Sequence, residues 1–152
     1  MPLDDLSAQP GTYALRLRLA DTVTIPIGQR RLALMPGWAL YIGSAFGPGG
    51  IAGRLRHHRQ LAMRPHWHID YLRHHTTLEA VWYSADPIRR ECLWAEIVAQ
   101  VLCGQAPPFR FGASDCRCQA HLYFFETRPA IAEFVTALRM RAPDHADVIE
   151  GT

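Results

Sequence analysis

The chain has 152 residues, 49% of them hydrophobic, with a formal net charge of +2, which suits one ordinary domain with a single core and excludes global disorder. No run approaches the roughly 18 apolar residues that span a bilayer. The start, Met1 to Pro10, is acidic and lacks the apolar stretch of a signal peptide, so a cytoplasmic location is expected.

In chain order, Thr12 to Ala20 alternates: Tyr13, Leu15, Leu17 and Leu19 share one face, with Arg16 and Arg18 on the other. This predicts a half-buried strand. Thr22 to Ile27 reads as its hairpin partner, and Gly28 to Pro36 holds another short apolar stretch. Gly37 to Ser44 is a clear strand, with Trp38, Leu40 and Ile42 on one face and Tyr41 on the other. The Gly47-Pro48-Gly49-Gly50 run must break it. A helix is expected from about Ile51 to Met63, with Ile51, Leu55 and Ala62 inward, followed by a short one over His66 to His75. Leu78 to Ser84 reads as a strand. Asp86-Pro87 reads as a helix start, with Asp as the cap and Pro at the first helical position. That helix is expected to reach Cys103. A last strand spans His121 to Phe125 and a last helix Pro129 to Arg139.

The expected class is α/β (α+β), a small central and mostly antiparallel sheet of three to five strands flanked by helices. Residues 1–10 read as a flexible N-terminus, 11–140 as one domain and 141–152 as a flexible tail. Cys92 and Cys103 read as small core residues. Cys116 and Cys118 are too close together for an ordinary disulfide.

All sixteen basic residues are Arg. Between Arg54 and His75 lie five Arg and six His against a single acid, Asp70. Such a block can meet phosphates, which Arg grips with a bidentate fork; it can equally be a solvated helix face. Arg56, Arg59, Arg64, His66 and His68 are the candidate nucleic-acid contacts. Two Gly/Tyr tripeptides, Gly11-Thr12-Tyr13 and Tyr41-Ile42-Gly43, sit in strand-like runs, and Arg54 follows early in a helix-like run. Glu91 is expected to point into the apolar arc of its helix near Val98 and Leu102, where a carboxylate needs an Arg, a metal or hydrogen-bond donors. Arg54 and His58 lie one turn apart and form either a pair aimed across the sheet or a surface pair. Tyr13 shares its face with three leucines, so it also reads as a core tyrosine whose hydroxyl needs a partner.

The set Gly11-Thr12-Tyr13, Tyr41-Ile42-Gly43, Arg54, His58 and Glu91 resembles the GIY-YIG endonuclease superfamily. The segments His66 to Leu72, Phe111 to Cys118 and His121-Leu122 are similar to its Uri-type subgroup, a domain also found fused to DNA glycosylases. The resemblance covers about Gly11 to Phe125. It implies a three-stranded antiparallel sheet with helices and a single Mg²⁺ or Mn²⁺ ion held by Glu91. It also implies Arg54 as the essential cation, Tyr13 and Tyr41 as the two site tyrosines, one of which activates water or relays its proton, and His58 as their catalytic neighbour; an imidazole there can shuttle a proton near neutral pH. The implied activity is hydrolysis of phosphodiester bonds in DNA, in repair or processing, with a repair protein as a candidate partner. Thr12 replaces the usual Ile, Ser44 stands where many relatives carry Lys, and the chain contains no Asn. A catalytically decayed nucleic-acid-binding module of the same fold is therefore the alternative.

His66, His68 and Asp70, with Cys116, Cys118 and His121, have ligand types that suit zinc. A zinc-stabilised interaction domain held by Cys116, Cys118 and His121 is a third reading. A hydrogen-bonded His66–His68–Asp70 cluster packed near the Cys116–His121 segment is the other use of these residues.

Overall fold

The computed structural model describes residues 8–65, 67–107 and 120–152. The expectations placed on His66, Cys116 and Cys118 lie outside the described residues. The elements run β1 (Thr12–Leu19), β2 (Val23–Ile27), β3 (Arg30–Leu34), β4 (Gly37–Ser44), α1 (Gly50–Arg59), α2 (His68–Arg73), β5 (Thr77–Ser84), α3 (Glu91–Gln100), β6 (Leu122–Phe125), α4 (Ile131–Arg141) and β7 (Ile149–Gly151).

A five-stranded antiparallel sheet in the order β6-β4-β1-β5-β7 forms the centre, and β2 and β3 make a separate two-stranded ribbon. The expected α+β class, with a mostly antiparallel sheet flanked by helices, is what the chain adopts. The alternation in β1 sets the two faces. Tyr13, Leu15, Leu17 and Leu19 join Tyr41, Val81 and Tyr83 under Ile51 and Leu55 of α1 and Ile69 and Leu72 of α2. Ala14, Leu40, Ile42 and Trp82 face the other way, against Trp94, Ile97 and Val98 of α3 and Phe134 and Leu138 of α4. Each side chain in these layers is at most 9% exposed, so the sheet carries two cores, one per face.

Several boundaries differ from expectation. β2 does not pair with β1; Val23↔Leu34 through Ile27↔Arg30 tie it to β3, because both edges of β1 are occupied by β4 and β5. α1 stops at Arg59, short of Met63. α3 starts at Glu91, not at Pro87, since Asp86 accepts hydrogen bonds from the amides of Ile88 and Ala146 instead of capping the helix. Ile88 is consequently exposed. Cys103, expected in the core, is exposed with a positive φ of 60°, and Cys92, also expected there, is exposed and disulfide-bonded.

The segment beyond Ala142, expected to be loose, packs back on the body. Ile149–Gly151 extend the sheet beside β5, Trp82 Nε1 donates to Glu150 at 2.8 Å, and the buried His145 accepts from Trp94 Nε1 at 3.0 Å. Among the described residues no helix is long and apolar enough to cross a membrane.

Candidate functional site

The start of β1, the end of β4 and the end of β5 meet at one end of the sheet: Tyr13 lies opposite Gly43 on one side and Tyr83 on the other. Both motif glycines are required there by close approach. A Cβ on Gly43 would stand 2.2 Å from Tyr13 Cζ and 2.4 Å from its hydroxyl, so the phenol ring lies directly over the glycine backbone. A Cβ on Gly11 would stand 2.0 Å from the Ser84 carbonyl oxygen. The two tripeptides thus serve one purpose: they let β1, β4 and β5 close around Tyr13.

Tyr13 is buried, and its hydroxyl shares a 2.8 Å hydrogen bond with His58 Nε2. Tyr41 meets the same imidazole edge-on, with ring centroids 5.9 Å apart. His58 comes from the inner face of α1 and is 1% exposed. Its Nδ1 has no hydrogen-bond partner. Its backbone carbonyl accepts from Arg73 Nε at 2.9 Å, and Arg73 Nη1 donates to the Thr76 carbonyl. Beside it, His57 turns towards α2, where its Nε2 meets Asp70 Oδ1 at 2.8 Å. The other oxygen of Asp70 accepts the Trp67 amide at 2.9 Å. Asp70 occupies the third position of α2 and reaches back over its first turn, half of a capping box. The Trp67 indole packs at 4.8 Å against the His57 ring and carries the Arg54 guanidinium 4.7 Å from its centroid.

Arg54 and Glu91 sit on helices that pack on opposite faces of the sheet, α1 with Tyr13 and α3 with Trp82. Glu91 is the first residue of α3 and half-buried, so it stands at the sheet end instead of pointing into the apolar arc, which Trp94, Ala95, Ile97 and Val98 fill. Its charge and that of Arg54 both act on Tyr13 and on Tyr41. A second stack joins the two sides. Arg89, two residues before Glu91, lies 4.6 Å over the ring of Phe46, and a Cβ on the adjacent Gly47 would stand 3.3 Å from Arg54 Nη2.

Burial dominates the acid–base chemistry. It pushes the Tyr13 phenol well above its ordinary value, with Tyr41, Glu91 and Asp70 adding and Arg54 opposing. It pushes Tyr41 up as well, with Glu91 and Asp70 adding. His58 is driven down to about 3 by burial first, then by His57, Arg54 and Arg73, against an opposing pull from Asp70. This corrects the expectation of a neutral-pH proton shuttle: the imidazole stays uncharged, and its geometry suits orienting Tyr13.

The structure therefore brings Tyr13, Tyr41, His58 and Arg54 together on the α1 face, while Glu91 opens the helix that packs on the other face. Arg56, Arg59, Arg64 and His68 are exposed on or near α1 and α2. His121 is buried, and its carbonyl accepts the Ile42 amide at 2.7 Å. Sequence reasoning missed His57, Trp67, Arg73 and Arg89. Only the Asp70–Trp67 spacing, an acid three residues past a helix start, carried a local signal for any of them.

Fold and site together define a small mixed α+β domain with a closed phenol–imidazole cluster at one end of its sheet. The chain belongs to the family described as domain of unknown function DUF123, whose model matches residues 12–142. No curated protein and no solved structure matches it.

Proposed function

We propose that this chain is a GIY-YIG-type, Uri-like endonuclease that hydrolyses phosphodiester bonds in DNA. The observation that carries the proposal is the gathering of Tyr13, Tyr41 and His58 at one end of the sheet, with Arg54 stacked on the neighbouring Trp67 and Glu91 opening α3. Glu91 offers a hard oxygen donor, the ligand type that suits Mg²⁺ or Mn²⁺ completed by water and substrate phosphate. When bound, such an ion supplies Lewis-acid polarisation of the phosphoryl group.

The chain's own residues do the rest. Arg54, held by the Trp67 indole, neutralises charge that develops on the phosphoryl oxygens. Tyr41 and Tyr13 stay protonated at rest and present hydroxyls that position the attacking water and the scissile group. His58 fixes the direction of the Tyr13 hydroxyl. Exposed Arg56, Arg59 and Arg64 hold the flanking backbone by charge, and the small net charge of +2 leaves room for a repair-protein partner that adds targeting.

The test is nicking of supercoiled plasmid, and cleavage of single-stranded and branched DNA, with Mg²⁺ or Mn²⁺. Wild type is expected to cut, and Glu91→Ala and Arg54→Ala to lose about 10²-fold or more. DNA binding that falls steeply with salt, without cleavage of any of these substrates by wild type, would overturn the nuclease and leave the binding module.

A further inference from the structure

We propose that His57, His58 and Asp70 form a binding site for a borderline divalent transition-metal ion of the zinc class, apart from the hard-ion role assigned to Glu91. Neighbouring residues on a helix point about 100° apart and do not normally share a ligand. Here the gap is closed by a second helix. His58 turns towards the sheet, His57 turns towards α2, and Asp70 enters from the first turn of α2. One ligand atom from each lies within 4.8 Å of the others. Three ligands around a tetrahedral ion bound at 2.0–2.1 Å stand roughly 3.3 Å apart, so small side-chain rotations would close the set.

Two further features point to an ion. The first is the buried Nδ1 of His58, which has no hydrogen-bond partner; such an atom costs about 1–3 kcal/mol and calls for an explanation. Ligation through Nδ1 would satisfy it. It would also place the imidazole proton on Nε2, which then donates to the Tyr13 hydroxyl across the observed 2.8 Å contact. A ligand histidine whose second nitrogen is anchored in this way is the usual outer-shell arrangement.

The second is the preset carboxylate. Asp70 is 3% exposed at its side chain and held by the Trp67 amide through Oδ2, which aims Oδ1 at His57. Arg73 binds the carbonyls of His58 and Thr76, and Arg54 lies on Trp67. Two imidazoles and one carboxylate favour zinc and its first-row neighbours over magnesium or calcium. The proposal does not depend on nuclease activity.

The experiment uses the full chain, stripped with chelator, and titrated with Co²⁺ followed by visible absorption and with Zn²⁺ followed by calorimetry. The expected result is about one ion per chain, with ligand-field bands of a low-symmetry nitrogen/oxygen site and no sulfur charge-transfer band. His57→Ala, at a half-exposed position, should weaken binding at least tenfold, as should Asp70→Asn; Glu91→Ala should leave it unchanged. Thermal melts followed by circular dichroism check that each variant is folded. No binding by wild type would overturn the proposal, as would binding unaffected by His57→Ala. A sulfur charge-transfer band would also overturn it, because it would move the ion to the cysteines.

Discussion

Gly43→Ala is the sharpest probe of how the site is built. Taken alone, a strand glycine replaced by alanine gains about 0.5–1 kcal/mol from reduced backbone entropy. Against this, the new Cβ would stand 2.2–2.7 Å from three atoms of the Tyr13 ring, and forced overpacking of this kind costs about 1–3 kcal/mol. The ring has one way out, which is to swing off Gly43 and abandon the 2.8 Å bond to His58. That strands a buried imidazole nitrogen and adds about 1–3 kcal/mol. The net loss is about 1–5 kcal/mol, or on the order of 3–15 °C in melting temperature for a chain of this length. Urea unfolding of wild type, Gly43→Ala, Tyr13→Ala and the double variant forms a cycle. Because the cost comes from the Tyr13 ring, Gly43→Ala should be neutral or slightly stabilising once Tyr13 is already alanine. Additive losses in the double variant would refute the reasoning, since the clash would then lie with something other than the phenol.

Three other outcomes follow from the same geometry. His58 has its folded value lowered from 6.5 to about 3, so the unfolded chain binds a proton that the metal-free folded chain refuses; stability is full above about pH 6.5 and falls through the acid range, by on the order of 5 kcal/mol at most. In His58→Phe the slope of unfolding free energy against pH should flatten by one proton between about pH 4 and 6, and an unchanged slope would refute this. Tyr13 and Tyr41 have raised values, so the stability they contribute is present below about pH 10 and lost as pH rises. Absorbance titration should therefore show the same folded-state tyrosinate signal up to about pH 11 in wild type and in the Tyr13→Phe/Tyr41→Phe variant; a smaller signal in the variant would mean that these phenols ionise. Asp86→Ala removes the acceptor for the Ile88 and Ala146 amides and the Arg90 guanidinium; it should cost about 2–4 kcal/mol by urea unfolding, and a loss below about 1 kcal/mol would show that Asp86 does not hold the C-terminal segment.

The fold was legible where a pattern is local. β4 emerged from its own alternation, and the leucine face of β1 predicted one core; the second core, on the face that Arg16 and Arg18 mark as polar, was not foreseen. Pairing was not legible. Adjacency suggested that β2 should fold onto β1, yet β1 takes β4 and β5 from far along the chain, and nothing in the text of β2 reports that competition. The short β7 was invisible because three residues carry no period. For the site, the tripeptides and Arg54 carried the signal, but the reason for Gly43, a phenol ring lying on it, exists only across strands. By sequence, Glu91 reads as an inward mid-helix acid because Asp86-Pro87 has the composition of a helix start. The structure spends Asp86 on the C-terminal segment instead, and the helix begins where Glu91 stands. His57 fell on the flank of α1 that periodicity marks as polar; its partner lies on another helix.

The charges around the phenols have a chemical consequence. Arg54 lowers the phenol values while Glu91 and Asp70 raise them, so the two acids work with burial against a single guanidinium. With the imidazole uncharged, no strong local field favours a phenolate. Burial then decides the matter, and it decides for the neutral phenol. The resting site is therefore held inactive as a base, although its groups are already in position. Only an added positive charge near the hydroxyls, or the loss of an acid, can change that balance. Removing Glu91 should by itself ease Tyr41 towards ionisation while abolishing the activity proposed for the site. Those opposite effects separate the carboxylate's influence on the phenols from its influence on the reaction.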